Sequence, residues 1–312
     1  MTGNTGALGR VVTEVGQETV DLLTGLSGAD LTTLLLEVMR IRAGKRSAPG
    51  VLRQYREDRF TAPAAVPANT LRTTEDTVVS ALPTEFELLT LAPVAPFGTH
   101  SSLATVDQNK VVSTARGSEV AADPTNALAL EAAMRRQFLT QTEPKSDDVV
   151  RLAASQRVVR AQKPTGRATF AHFALLGAVS AGRDTGNLAF ERRHVVEHIG
   201  FAAKATQAAV GGRVEIDLTV LAPQFDSVAL VVHDAFADQR DVEIVDDPHR
   251  STGRGYYLGL CFKVCVVLGD DRIEVGDGGF VDWTRELLNN RKERLLISGL
   301  GIERLATLAP AF

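Results

Sequence analysis

Ser298-Gly299-Leu300-Gly301-Ile302-Glu303-Arg304-Leu305-Ala306 reads as a glycine-rich turn that runs into a helix and places an arginine one turn in. Glycine lets a backbone approach a ligand closely. A helix start offers unpaired N–H groups and a positive dipole end to an anion. Arg304 adds a planar cation suited to phosphate.

At 312 residues the chain is long enough to bury a substantial core as one large domain plus an extension. Its 44% hydrophobic and 23% charged residues are ordinary for a soluble globular protein. A net charge of −4 argues against nucleic-acid binding by bulk electrostatics. The two cysteines, Cys261 and Cys265, make no disulfide framework and point to a reducing compartment. They sit at i and i+4 of a strand-like run, where plain strand residues share a face. The segment Met1–Gly6 lacks the basic and apolar parts of a signal peptide, and no apolar run approaches the roughly 20 residues of a membrane span. A cytoplasmic protein without membrane contact is expected.

Residues 10–43 are expected to be helical, with Asp30 capping a helix that carries Leu31, Leu34, Leu35, Val38 and Ile41. From Arg40 to Arg59 the chain holds seven basic and two acidic side chains, which suits a solvated linker or a clamp for phosphates or an acidic partner. Thr61–Thr70 is rich in Ala and Pro and reads as a linker. The expected organisation is therefore an N-terminal helical extension and linker over 1–70 and a core over 71–312.

In that core the pattern predicts a helix at about 74–82, an extended segment at Phe86–Leu91 and a helix over 125–138. Strands at Val149–Arg160 and Phe170–Val179 then flank a loop, and a helix follows at about 188–208. Further strands are expected at Val214–Leu221, Val228–His233, Tyr256–Leu268 and Arg272–Val275. Gly269-Asp270-Asp271 turns the last two into a hairpin. Hairpin-joined strands with helices grouped between them predict an α+β fold, an antiparallel sheet flanked by helices.

Several segments, in order over roughly residues 74–306, resemble the catalytic core of class II aminoacyl-tRNA synthetases, closest to the histidyl type. Pro93 resembles the proline of motif 1, which builds a two-fold interface. Val158-Val159-Arg160-Ala161-Gln162, Gly166-Arg167, Phe173 and Gly177 resemble motif 2. Gly253-Arg254-Gly255-Tyr256-Tyr257-Leu258-Gly259 with Phe262 is similar to the family's double-tyrosine segment, and Gly278-Gly279 with Asp282 to its G-G-x-x-D turn. Gly299–Leu305 takes the place of motif 3.

The resemblance implies a site that activates a carboxylate with ATP, accompanied by Mg2+ whose protein ligands the sequence does not identify. Two anions must then be brought together, which requires charge neutralisation and alignment. By the resemblance, Arg160 bridges the substrate carboxylate and the α-phosphate, and Arg304 holds the γ-phosphate together with the Gly301 turn. Arg167 touches the phosphates, Phe173 stacks on adenine, and Gln162 stands in for the glutamate that reads the adenine amino group. Asp123 and Thr125 resemble the pair that grips the α-amino group, although Asp123-Pro124 also suits a helix cap. Tyr256 and Tyr257 join the amino-acid site.

The departures are as informative. The two positions that contact histidine in the family are here Leu175 and Val179, so a small or apolar amino acid is expected instead. The arginine ahead of the double tyrosine aligns with Thr252, with Arg254 nearby. Because the sequence given ends soon after the Gly299–Leu305 segment, a counterpart of the family's anticodon-binding domain is not expected. The expected function is therefore adenylation of a small or apolar amino acid and transfer to a small amine or carrier protein. A full tRNA is not expected as acceptor. A non-catalytic paralogue of the ATP phosphoribosyltransferase regulatory type is the alternative, and either form is expected as a homodimer.

A third reading is a zinc hydrolase, because His194-Val195-Val196-Glu197-His198 fits H-x-x-E-H and Glu274 falls near a third-ligand spacing. In the synthetase-like register the same helix places Val195, Val196 and Ile199 inward and the histidines outward.

Overall fold

The computed structural model describes residues 6–144, 146–161, 170–253 and 255–309. Two compact units divide them, one reaching to Ala62 and including 113–118, the other taking 63–112 and 119 onward. The first holds α1 (Ala7–Val15), α2 (Gln17–Gly25), α3 (Gly28–Gly44) and α4 (Ala48–Glu57). The helical stretch expected over 10–43 is thus three helices. It breaks at Gly16, whose φ of 82° suits glycine, and at Ser27. Ser27, not Asp30, caps α3. Its Oγ accepts from the Asp30 N–H at 3.1 Å and donates to Asp30 Oδ2 at 2.7 Å. Part of the basic 40–59 stretch, expected as a linker, forms α4 instead, capped by Ser47. No residue of these four helices is buried.

The second unit contains α5 (Ala68–Ser80), β1 (Glu87–Leu88), β2 (Val94–Pro96), α6 (Thr99–Leu103), all but the first residue of β3 (Ser118–Val120), and α7 (Pro124–Thr142). Then come β4 (Val150–Val159), β5 (His172–Arg183), α8 (Ala189–Val210), β6 (Arg213–Val220), α9 (Asp226–Phe236) and β7 (Val242–Asp246). The chain continues through β8 (Leu258–Leu268), β9 (Asp271–Val281), α10 (Trp283–Leu287), β10 (Glu293–Gly301) and α11 (Ile302–Leu308). Eight strands form one sheet in the order β1-β4-β5-β10-β9-β8-β6-β7. Its six inner strands pair antiparallel, and β1 and β7 join its two margins in parallel. The α+β expectation therefore holds.

Three local expectations fail. Val228–His233 is helix, not strand, because Val228, Ala229, Val232 and Phe236 repeat at helical spacing and bury one face. Gly278 and Gly279 lie inside β9 opposite Ser298 and Ile297, not in a turn. The Ser298–Gly301 stretch is the end of β10, which passes directly into α11.

Side chains alternate across the sheet. On one face Leu176, Leu296 and Leu300 pack against α5, α8, α9 and α11. On the other, Leu152, Val179, Leu295 and Ile297 pack against α7, Leu103 and Trp283. Helix α7 can approach β5 because residue 177 is glycine, where a Cβ would lie 2.8 Å from Pro124 Cγ. At its far end Arg136, buried, forms a two-pronged pair with buried Glu293 (Nε–Oε2 3.0 Å, Nη2–Oε1 3.1 Å) and donates from Nη1 to the Asp148 carbonyl at 2.7 Å.

The histidines of α8 face inward, contrary to expectation. His194 and His198 are buried along with Val195 and Ile199, whereas Val196 is only partly so. His198 bridges two strands, with Nε2 2.9 Å from Ser180 Oγ and Nδ1 2.8 Å from Ser298 Oγ. Burial drives its pKa down to about 3. Glu197 is drawn to His194 (2.7 Å) and Arg151 (3.0 Å). Against its burial, these bonds hold its carboxyl at about 2. Both ring nitrogens of His198 are used, and Glu274 pairs with Lys263 at 3.0 Å. Among the described residues no group of three or more His, Cys, Asp or Glu side chains is placed to hold a metal ion. The zinc reading therefore lacks its centre.

Removing one partner of a buried ion pair strands the other charge. Arg136→Ala is expected to lower the free energy of unfolding by about 3–5 kcal/mol, read by denaturant titration. For His198 the unfolded chain takes up a proton near the ordinary value of 6.5 while the folded chain resists until about 3. Stability from this group is present above that window and is lost as pH falls through it, by of order 1 kcal/mol per pH unit. His198→Gln should flatten the slope of stability against pH between about 4 and 5.5 by close to one proton.

Candidate functional site

A cleft of about 640 Å3 opens over the α7 face of the sheet. Its floor is the cleft-side row of β5 and β10, Phe173, Leu175, Ile297, Gly299 and Gly301, with Val275 to Asp277 of β9 beside them. The N-terminal turn of α7 supplies one wall, and the start of α11 supplies Glu303 and Arg304. Arg160, Arg304, Phe173, Gly301, Asp123, Thr125, Leu175, Tyr256 and Tyr257 therefore line one space, although 181 positions separate the first and last in sequence (304 − 123).

Val179 does not join them. It lies two residues past Gly177, where Pro124 and Thr125 press on the strand, so α7 covers it and it is fully buried in the core. Gln162, Arg167 and Arg254 lie outside the described residues.

The charges in the cleft arrive in pairs. Arg160 donates from Nε to the Ala122 carbonyl at 3.1 Å and from Nη2 to Asp123 Oδ2 at 3.3 Å, and its guanidinium lies 5.0 Å from the Phe173 ring centroid. Asp123 also caps α7. Its Oδ1 accepts from the Thr125 N–H at 2.9 Å and from the Thr125 hydroxyl at 2.7 Å. The cap and the cleft roles weighed from sequence thus meet in one carboxylate. Arg304 donates to the Glu274 carbonyl at 2.6 Å. Glu303 is buried and holds Arg157 at 2.5 Å and the Ala174 N–H.

Sequence reasoning missed Arg250. It is buried at the cleft floor, donates from Nε to the Thr252 carbonyl at 2.8 Å, faces Asp277 at 3.4 Å and lies 5.5 Å from the Tyr257 ring centroid. A cation thus stands beside Thr252, delivered from two residues upstream. The turn that brings it there has Gly253 at φ 76°. Only a three-dimensional contact identifies this residue, because the spacing differs from the expected pattern.

Tyr257 packs on Gly279, where a Cβ would lie 2.6 Å from Cδ1. Tyr256 meets Tyr257 edge-on at 4.7 Å and Trp283 at 5.7 Å. Burial pushes both phenols far up, so they act as hydrogen-bond donors rather than as bases. Burial also raises the Asp277 carboxyl, against the pull of Arg250. The carboxylates of the cleft, Asp123, Glu274, Asp277 and Glu303, each have a cationic partner. They do not converge as a cage for Mg2+.

No protein-family model matches the sequence, and no curated protein does either. Solved structures do match. An ATP phosphoribosyltransferase regulatory subunit/histidyl-tRNA synthetase from Bacillus halodurans superposes with a TM-score of 0.58 at 12% identity, covering 81% of this chain and 83% of that one. Histidyl-tRNA synthetase from a Nostoc species gives 0.55 at 12% identity, covering 80% of this chain and 74% of that one. The S. aureus histidyl-tRNA synthetase gives 0.55 at 12% identity over 77% of this chain and 64% of that one, so the chain spans under two thirds of that enzyme. Identities this low speak to architecture alone, and the architecture is that of the class II aminoacyl-tRNA synthetase core.

Proposed function

We propose that this protein binds ATP and a small amino acid in the cleft and joins them as an aminoacyl adenylate. The amino-acid carboxylate oxygen forms a bond to the α-phosphorus, the bond to the β-phosphate oxygen breaks, and pyrophosphate leaves with the electron pair. The nucleophile of an acceptor other than a full tRNA, a small amine or a carrier protein, then bonds to the acyl carbon as the bond to the phosphate oxygen breaks, and AMP leaves with the electron pair. The observation that carries this reading is the meeting of Arg160, Arg250 and Arg304 in one cleft with an aromatic ring beside them.

Such a reaction presses two anions together, and fixed guanidinium groups offset that repulsion most strongly as charge builds in the transition state. Arg160 suits the junction of carboxylate and α-phosphate, because it lies between Asp123 on the α7 wall and Phe173 on the floor. Arg304 suits the outer phosphates. Arg250 supplies the cation that Thr252 does not. Phe173 offers a face for adenine, while Gln162 and Arg167 are proposed for the adenine amino group and the phosphates. Asp123, Thr125 and the Tyr256 hydroxyl are suited to an α-ammonium, and Leu175 to the substrate side chain. Magnesium supplies charge neutralisation on a bound triphosphate; with no acidic cage among the described residues, the phosphates themselves are its expected ligands.

A homodimer and a cytoplasmic location belong to the same proposal. Leu88, Val94 and Phe97 around Pro93, and Met134 and Phe138 on α7, leave apolar surface exposed. Among the described residues no helix is long and apolar enough to cross a membrane.

A non-catalytic, regulatory role is the second reading. Thr252 at the family's arginine position favours it, as does the superposition on a protein described as a regulatory subunit. ATP–pyrophosphate exchange across the amino acids separates the two. Exchange with at least one amino acid is expected, and Arg160→Ala or Arg304→Ala should lower it about 10²–10³-fold with the circular dichroism unchanged. Unaltered exchange in Arg160→Ala would refute the placement of the α-phosphate.

A further inference from the structure

We infer that Arg157, which does not line the cleft, is a positioning residue for Arg304. With His172 it holds Glu303 from outside the cleft, and so sets the direction in which the next guanidinium enters. The inference rests on the proposed reading of Arg304 as the residue that holds the outer phosphates of ATP.

Strand β10 leaves the sheet at Gly301, which pairs with Leu175 of β5. Had it run on, its next residue would face Ala174. The chain turns into α11 there instead, and the Ala174 N–H is met by a side chain, Glu303 Oε2. The other carboxylate oxygen, Oε1, accepts from Arg157 Nη2 at 2.5 Å. Glu303 is 2% exposed, and burying a carboxylate is costly unless donors meet it. Arg157 is held in turn through its other terminal nitrogen. Nη1 lies 2.8 Å from His172 Nδ1. A guanidinium can only donate, so Nδ1 accepts and the ring proton sits on Nε2. The guanidinium thus spans an imidazole of β5 and a carboxylate of α11, while its own backbone pairs with Ala174 in the β4–β5 ladder.

Neither Arg157 nor His172 lines the cleft, whereas Glu303 and Arg304 both do. Burial of Ile302 and Leu305 seats α11 on the core, but apolar burial is non-directional. The hydrogen bonds at Glu303 carry direction, and they act one residue before Arg304. Arg304 itself has the Glu274 carbonyl as its tether, at 2.6 Å. Phe173, by contrast, is placed by its ladder partner Val158. A change at Arg157 should therefore reach the outer phosphates of a bound nucleotide and spare its adenine end. The Arg157 side chain is 41% exposed, so Arg157→Met opens no enclosed cavity.

A double-mutant cycle on the full chain tests this, with ATP and AMP binding read by titration calorimetry. Arg157→Met is expected to weaken ATP binding roughly fivefold to fiftyfold and to leave AMP binding within about twofold. Arg304→Ala should likewise weaken ATP and spare AMP. Adding Arg157→Met to it should cost nothing further, because the first residue acts through the second. Arg157→Lys keeps a cation for Glu303. It should show a smaller loss for ATP that also vanishes in the Arg304→Ala background, which decides the matter even if Arg157→Met does not fold. Losses that add in the double variant would overturn the inference. So would an equal weakening of ATP and AMP, the mark of a merely structural role, or unaltered ATP binding in Arg157→Met. ATP binding that is indifferent to Arg304→Ala removes the placement of the outer phosphates, and this inference with it. Failure of the intact protein to bind either nucleotide removes the nucleotide reading itself.

Discussion

The start of helix α7 comes as close to the sheet as it does because residue 177 has no side chain. Pro124 and Thr125 occupy the space where a Cβ would be, and this close approach sets the depth of the helix. From that depth its N-terminal cap, Asp123, reaches Arg160, and its first turn presents Asn126 to His100. The Arg136–Glu293 pair ties the other end to β10, the strand that forms the cleft floor and leads into Arg304. One close backbone contact therefore places groups from four distant parts of the chain in a common space.

The cleft is charged yet balanced. A guanidinium out of bulk water is costly unless a carboxylate or carbonyl meets it. Arg160 has Asp123, Arg250 has Asp277, and Arg304 has a carbonyl. An incoming triphosphate would thus exchange partners with groups already held in place rather than gather mobile ones, and prior ordering of that kind lowers the entropic cost of alignment. The raised Asp277 carboxyl belongs to the same balance: desolvation lifts it and Arg250 pulls against that.

Much of the architecture was legible because the long elements carry strong periodic signals. The β4–β5 hairpin, α7 and α8 fall where alternation and helical spacing put them. Short apolar runs were ambiguous, as expected when a segment suits either period. Val228–His233 is rich in valine and reads as strand, but its burial follows a four-residue repeat. The strand β7, Val242–Asp246, is only five residues long, and Glu243 and Asp246 interrupt its apolar residues, so it carries no clear period. At the site, the resemblance to motifs 2 and 3 pointed to Arg160 and Arg304, which follow β4 and β10, the two strands on either side of β5. It overlooked Arg250, whose approach depends on a glycine turn. It also overreached at Val179, whose strand position is right but whose exposure depends on where α7 stops. Inward-facing His194 and His198 were misread because imidazoles bury readily once they find partners, Glu197 for His194 and Ser180 and Ser298 for His198.

Both margins of the large sheet are closed by modest means. At one side the last ladder partner is β1, a two-residue strand, and at the other it is β7, five residues that include Glu243 and Asp246. A foreign strand finds little free backbone to dock on at the first and meets like acids at the second, so runaway cross-chain β-stacking is disfavoured at both ends. Wide, strongly hydrogen-bonded sheets invite fibrous growth when their outermost strands are long and bare; here the wide part is kept to the middle.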